Sequence, residues 1–217
     1  MNKIVNQHSD THRIFGLDLM RATAILMVVI GHCVWIVPER DSFIHQLLVL
    51  SGFFGVEIFF VLSGFLIGKI LYQLYLKSDF SLATVFYFLK RRWFRTLPNY
   101  FLVLVLNLLI ASIVGYAALS WWKYFFFWQN LHTTMLPFFP ESWSLSVEEF
   151  AYLTLPFFLL ISGSFSKPKN KSRFFLGSIL VLIVIFFCAK IGYHYTTHNT
   201  TLTQWNLSLK AVVIYRL

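Results

Sequence analysis

The sequence predicts an all-α fold, a polytopic transmembrane helical bundle with about five full spans and the start of a sixth. Of its 217 residues, 58% are hydrophobic and 12% are charged, whereas a soluble domain carries about 25% charged residues. The mean hydropathy is +0.68, and 25 Phe, 10 Tyr and 7 Trp add an aromatic content typical of membrane proteins. So few charged residues cannot cover the chain against water, and we expect lipid to be part of its solvent.

Five apolar runs are long enough to cross a hydrocarbon core of about 30 Å, which takes roughly 20 helical residues. They are Ile14–Val37, Phe53–Leu76, Tyr100–Leu119, Trp143–Ser162 and Phe174–Ile191. The first is too long for the apolar region of a signal peptide and is expected to remain as a span. A sixth run starts at Leu207 and stops at Leu217, so we expect residues 1–217 to form one partial membrane domain.

The net charge of +9 is distributed in short basic clusters between the apolar runs. This arrangement indicates membrane topology and argues against a nucleic-acid partner. The clusters precede run one, separate runs two and three, and separate runs four and five: Lys3, Arg13, Lys77, Lys90, Arg91, Arg92, Arg95, Lys167, Lys169, Lys171 and Arg173. The bias predicts a cytoplasmic N-terminus, in the inner (plasma) membrane of a cell that we expect to be bacterial. Two cysteines give no disulfide framework, and no metal-ligand spacing occurs.

Two connecting segments have patterns of their own. From Leu82 to Phe94 the apolar residues recur at helical spacing, which predicts an amphipathic helix on the inner membrane surface. Asp79 or Ser81 would cap this helix and Pro98 would end it. The aromatic stretch Trp121–Pro140 is expected outside, as either an interfacial belt or a re-entrant lid.

The first run contains three ionisable side chains, Asp18, Arg21 and His32, and on insertion scales an Arg inside a span costs about 2.5 to 3.5 kcal/mol. Arg21 and His32 are eleven residues apart, so on a helix they lie within about 20° of one face and about 16 Å apart along the axis. In one interpretation Arg21 pairs with Asp18 or extends to the interface, and His32 is a packed residue. In the other, His32 is a general base, because an imidazole exchanges protons readily at neutral pH.

Carboxyl groups near the start of runs two and four are also ambiguous. Glu57 is either an interfacial carboxylate or a functional group in the same outer half as His32. Ser63 and Gly64 beyond it permit a close helix approach, which is ordinary packing of small residues. Ser146 and Glu149 have the spacing of a capping box, which would account for Glu149 at a helix start. Glu148 points about 100° away from Glu149 and is the stronger functional candidate.

In order and spacing these residues resemble the membrane acyltransferase 3 family, whose members acylate cell-surface glycans and related acceptors. The resemblance runs through the chain and covers the N-terminal half of the family pattern. A local departure is Phe150-Ala151, where many members have Gln and Phe. The matching motifs are Arg21 with ten residues before His32, Gly55-Val56-Glu57, Arg92-x-x-Arg95 with Pro98, Trp143-Ser-Leu-Ser-Val-Glu-Glu, and Tyr215-Arg216-Leu217.

The resemblance implies an acyltransferase that uses acyl-coenzyme A, with acetyl-coenzyme A expected, as its donor substrate, and no permanently bound cofactor or metal. The expected partners are this donor, a glycan or lipid-linked acceptor and membrane lipid. The expected catalytic residues are His32, Glu57 and Glu148. The expected donor-binding residues are Arg21, Arg92, Arg95, Trp143 and Ser144.

The sequence is also compatible with two other functional interpretations. A transporter or flippase of a glycan precursor also places charges in helices, although paired Gly and Pro breaks are not evident here. An inactive fragment of the acyltransferase is another alternative. If Arg95 serves only topology, Arg95→Lys should be nearly silent.

Overall fold

The computed structural model describes residues 14–37, 39, 42–77, 80–131, 138–166 and 168–196. Within these residues every regular element is helical, which confirms the predicted all-α class. The elements are α1 (Phe15–His32), a 3-10 turn (Cys33–Ile36), α2 (Phe43–Lys77), α3 (Leu82–Val114), α4 (Trp122–Phe125), a 3-10 turn (Pro140–Ser142), α5 (Trp143–Ser166) and α6 (Lys171–Thr196). The sixth run from Leu207, the Tyr215-Arg216-Leu217 motif and Asp79 lie outside the described residues.

Five helical segments of the described chain are long and apolar enough to cross a membrane, as the apolar runs predict. They are Phe15–Ile36, Phe43–Lys77, Leu82–Val114, Pro140–Ser166 and Lys171–Tyr195. Many of their large apolar side chains are exposed, among them Ile113, Phe165 and Phe187. Lipid is the solvent that accommodates such side chains. The chain is therefore a multi-pass membrane protein.

The helix around Pro98 differs from the prediction. The expected surface helix and the third span are one continuous helix, α3, and Pro98 lies inside it. A proline removes one backbone hydrogen bond, but membrane helices tolerate this loss because neighbouring groups satisfy the freed carbonyl. Ser81 does occupy the N-cap position of α3, without a side-chain cap hydrogen bond. The helix ends at Gly115, whose φ of 78° is the left-handed conformation common at helix C-termini.

The chain divides into two compact units, Met1–Gly68 and Lys69–Leu217. In the first unit, α1 packs closely on α2 through glycines. A Cβ built on Gly31 would lie 2.4 Å from the Cα of Gly52, and one built on Gly55 would lie 2.8 Å from the carbonyl oxygen of Ala24. Small residues at a membrane helix interface allow such backbone contact.

No close helix approach occurs at Gly64 in the described part of the chain. Gly64 is exposed, and no described heavy atom lies within 4 Å of a Cβ built there. Nine residues separate it from Gly55, which at 100° per residue places it about 180° round α2. Gly64 therefore faces away from the glycine contact with α1.

In the second unit, α5 packs against α3 and α6. The described part of the aromatic segment folds onto α3: the Tyr100 hydroxyl donates to the carbonyl oxygen of Tyr124 at 2.8 Å, and the ring of Tyr124 is fully buried. Burial raises the pKa of Tyr124, so its hydroxyl stays protonated, and it accepts a hydrogen bond from the Phe139 N–H. Trp122 and Trp128 on the same segment remain exposed.

Candidate functional site

Arg21 lies on α1 and forms an ion pair. Its Nη1 is 3.2 Å from Oδ1 of Asp18, three residues earlier on the same helix. The pairing interpretation of the sequence is thus confirmed for these two residues. Binding of a donor by Arg21 stays a prediction.

His32 is the last residue of α1, directly before the 3-10 turn. Its Nδ1 lies 2.8 Å from the carbonyl oxygen of Val28, and the side chain is exposed. A carbonyl oxygen only accepts hydrogen bonds, so Nδ1 must carry the hydrogen, and in the neutral ring Nε2 has the free lone pair. This tautomer is the one that a general base acting through Nε2 requires.

Glu57 belongs to the same unit as His32. It is half-buried on α2, two residues after Gly55, the glycine that packs on Ala24 of α1. The helix crossing thus fixes the backbone beside this carboxyl group. A catalytic role for Glu57 stays a prediction.

Glu149 is not the capping residue that the sequence suggested. The 3-10 turn Pro140–Ser142 leads into α5, so Ser146 lies inside the helix and its Oγ bonds to the Ser142 carbonyl. Glu149 is only 3% exposed. Its Oε2 accepts a 2.9 Å hydrogen bond from Trp93 Nε1, and its Oε1 lies 3.3 Å from Thr96 Oγ1. A buried polar group needs such partners, and here they connect α5 to α3.

Glu148 is linked to the arginine motif through Tyr152. The Tyr152 hydroxyl donates to Oε1 of Glu148 one helical turn earlier. The guanidinium of Arg92 lies 4.7 Å from the centroid of the Tyr152 ring, within the range of a cation–π contact. The structure thus brings together Arg92 and Glu148, two residues that the sequence proposed for different roles.

A cleft between the end of α2 and the first half of α3 gathers four cationic side chains; we term it the cationic cleft. Its volume is about 430 Å³. It is lined by Ile70, Gln73, Leu74, Lys77, Tyr87, Phe88, Arg91, Arg92 and Arg95, a set without a carboxylate. The Nε of Arg92 is buried and makes no hydrogen bond within the described residues. Sequence reasoning assigned Lys77 and Arg91 to topology alone and missed their place beside the Arg92-x-x-Arg95 motif.

Trp143 and Ser144 are the first two residues of α5 and are absent from the lining of the cationic cleft. The carbonyl oxygen of Trp143 accepts a 3.4 Å hydrogen bond from Asn130 Nδ2. Donor binding by this pair stays a prediction.

Gln129 and Asn130 are buried amides that sequence reasoning missed. Gln129 Nε2 donates to Ser146 Oγ at 2.5 Å and to Ser142 Oγ at 3.3 Å. Both serine hydroxyls give their own hydrogen to backbone carbonyls, so the amide must be the donor. These contacts hold the start of α5 in place. Two amides next to each other in an aromatic segment are the signal that could have marked them.

Five spanning helices in the described chain, with ionisable residues inside them and a cleft lined by four cations, define a multi-pass membrane protein. Comparison with known proteins makes the assignment specific. The chain belongs to the acyltransferase 3 family, whose model, described as an acyltransferase domain, matches residues 14–215. The predicted resemblance is thereby confirmed.

Individual relatives come from bacteria. The chain is 27% identical to a provisionally named O-acetyltransferase of Staphylococcus aureus strain COL, over 92% of this chain and 34% of the relative. It is 30% identical to a peptidoglycan O-acetyltransferase of Listeria monocytogenes, over 75% of this chain and 27% of the relative. A provisionally named peptidoglycan O-acetyltransferase of Bacillus subtilis strain 168 is also 30% identical, over 78% and 27%. The chain thus spans between 27% and 34% of the length of these relatives. No solved structure matches.

Proposed function

We propose that this protein is the membrane part of an O-acyltransferase that moves an acyl group, expected to be acetyl, from acyl-coenzyme A to a hydroxyl of a cell-surface glycan or related acceptor. Membership of the acyltransferase 3 family and the names of the relatives support the reaction class. The observation that carries the choice of donor is the cationic cleft, because four cations without a lining carboxylate suit the phosphates of coenzyme A. The bacterial relatives support a location in the plasma membrane.

In this proposal Nε2 of His32 takes the proton of the acceptor hydroxyl as the oxygen attacks the thioester carbonyl. The new ester bond forms, the bond between the carbonyl carbon and sulfur breaks, and the proton passes from His32 to the departing thiolate of coenzyme A. The hydrogen bond from Nδ1 to the Val28 carbonyl supports this role, since it leaves Nε2 as the acceptor. Glu57 and Glu148 are proposed to orient and polarise the reacting groups.

The donor would approach from the predicted cytoplasmic side, with its phosphates on Arg92 and Arg95. Guanidinium groups bind phosphate oxygens bidentately, which makes arginine better suited than lysine to this task. Arg21, Trp143 and Ser144 are proposed as further donor contacts. The rival function, a flippase, would move a glycan precursor without consuming acyl-coenzyme A.

The test is acyl transfer from labelled acetyl-coenzyme A by the full chain in lipid nanodiscs, with and without the His32→Ala substitution. Loss of a general base lowers the rate by about 10² to 10⁴ fold. Cys33→Ala is the matched control, because Cys33 is the next residue, exposed, and outside the proposed site. A parent protein that does not turn over the donor, or a His32→Ala variant with the parent rate, would refute the proposal.

A further inference from the structure

We infer that the cationic cleft binds the 3′-phosphorylated adenosine end of coenzyme A, with Lys77 and Arg91 holding the 3′-phosphate. This inference rests on the proposed function for the identity of the donor. It adds residues that neither the sequence motifs nor the family comparison single out, and it assigns each side of the cleft to a different part of the ligand.

The charge of the cleft is the first argument. Arg91, Arg92 and Arg95 crowd one short stretch of α3, and Lys77 at the end of α2 lies in the same lining. Like charges three or four residues apart on a helix repel each other, and an anion bound in the cleft relieves this repulsion. A phosphomonoester alone carries about −1.5 to −2 charges at neutral pH, and the diphosphate of coenzyme A adds to it. The negative charge of a ligand with several phosphates is therefore comparable to the positive charge of the four side chains.

Depth and position along α3 divide the cations into two pairs. Arg92 alone is half-buried, with its guanidinium over the Tyr152 ring. Lys77, Arg91 and Arg95 are exposed, but Arg95 lies one turn further along α3 than Arg91. The diphosphate carries the thioester arm and must lie further into the span, so we assign it to Arg92 and Arg95. The 3′-phosphate is a side branch on the ribose, and we assign it to Lys77 and Arg91, which lie nearer the connection between α2 and α3.

The same lining offers contacts for a nucleoside. Tyr87 is 56% exposed. The Arg91 guanidinium lies 5.8 Å from the centroid of its ring, and Nη1 of Arg91 is 3.5 Å from its hydroxyl oxygen. An exposed aromatic face is a stacking platform for a base, and the Gln73 amide in the lining can exchange hydrogen bonds with a base edge. The cavity of about 430 Å³ falls in the size range of small-molecule sites, about 300 to 1,000 Å³.

The first experiment measures donor preference in acyl transfer by the full chain in nanodiscs. We expect the KM for acetyl-coenzyme A to be about tenfold or more below that for 3′-dephospho-acetyl-coenzyme A, the effect of one charge-assisted phosphate contact. Lys77→Gln and Arg91→Gln should each remove most of this preference. Lys90→Gln is the matched control: it removes the same charge from the residue next to Arg91, but Lys90 is exposed and outside the lining. Transfer with equal KM values for both donors would refute the inference and leave the proposed function standing.

The second experiment measures binding without chemistry, using adenosine 3′,5′-bisphosphate and calorimetry. Binding that weakens about tenfold in Lys77→Gln and Arg91→Gln, and not in Lys90→Gln, supports the site even if no acyl transfer is found, in which case only the proposed function fails. A lipid headgroup is the other source of phosphate. Nanodiscs of phosphatidylcholine with and without phosphatidylglycerol separate the two: retention of phosphatidylglycerol that depends on Lys77 and Arg91, with no nucleotide binding, would overturn the inference.

Discussion

The indole Nε1 of Trp93 donates a 2.9 Å hydrogen bond to Oε2 of Glu149, and this contact joins α3 to α5 at a buried point of the second unit. Each partner is the sequence neighbour of a site residue, since Arg92 precedes Trp93 and Glu148 precedes Glu149. The hydrogen bond therefore fixes the relative position of the two helices where the Arg92 guanidinium lies over the Tyr152 ring. We regard Trp93 and Glu149 as positioning residues for the candidate site.

Trp93→Phe tests this contact with little loss of apolar packing. The substitution leaves a buried carboxyl oxygen without its donor, and we expect it to cost about 1 to 3 kcal/mol, the range for a buried acceptor left without a partner. The measurement is the free energy of unfolding in one defined detergent. Trp35→Phe is the control, because Trp35 is 84% exposed and should unfold like the parent. Equal stability of the two variants would contradict the positioning role.

Glu149→Gln and Glu149→Leu separate hydrogen bonding from charge at the same position. The amide oxygen of Gln can still accept the hydrogen bond from Trp93. Its NH₂ group can donate to the Thr96 hydroxyl oxygen. The Thr96 hydroxyl can then donate its own hydrogen to the Arg92 carbonyl oxygen, which is 3.2 Å away. Leu leaves the Trp93 N–H buried without a partner, which costs about 1 to 3 kcal/mol. We therefore expect Glu149→Gln to unfold near the parent midpoint and Glu149→Leu several degrees lower. The reverse order would show that charge, rather than hydrogen bonding, is what the site needs.

The sequence predicts the five spans because the length and apolarity of a run are local properties. It fails at Glu149 because Ser-x-x-Glu has the same pattern whether it caps a helix or lies inside one. Where α5 begins is decided by Pro140, by the 3-10 turn and by the Gln129 amide seventeen residues before Ser146. The actual partner, Trp93, is 56 residues away in the sequence. No local pattern contains that contact.

The glycines show the same limit within the first unit. Gly31, Gly52, Gly55 and Gly64 all have apolar neighbours in the sequence, and any of them could have lain at a helix contact. Only the position of α1 against α2 shows that Gly31, Gly52 and Gly55 lie at the contact and that Gly64 does not. The Ser51 hydroxyl adds to the contact between α1 and α2 by donating a 3.0 Å hydrogen bond to the Met27 carbonyl oxygen of α1.

Alanine substitutions at Gly31, Gly52 and Gly64 should therefore lower the free energy of unfolding by different amounts. A Cβ on Gly31 would lie 2.4 Å from the Cα and 2.7 Å from the N of Gly52, so the backbones must separate. Overpacking of this kind costs about 1 to 3 kcal/mol. A Cβ on Gly52 would lie 3.3 Å from the Gly31 Cα, which is tighter than usual, but a small shift relieves the contact. A Cβ on Gly64 has no described heavy atom within 4 Å. We expect the free energy of unfolding in one detergent to fall most for Gly31→Ala, less for Gly52→Ala, and not at all for Gly64→Ala. A loss at Gly64 as large as that at Gly31 would contradict the glycine contact, because both changes have the same effect on helix propensity and differ only in what the new methyl group meets.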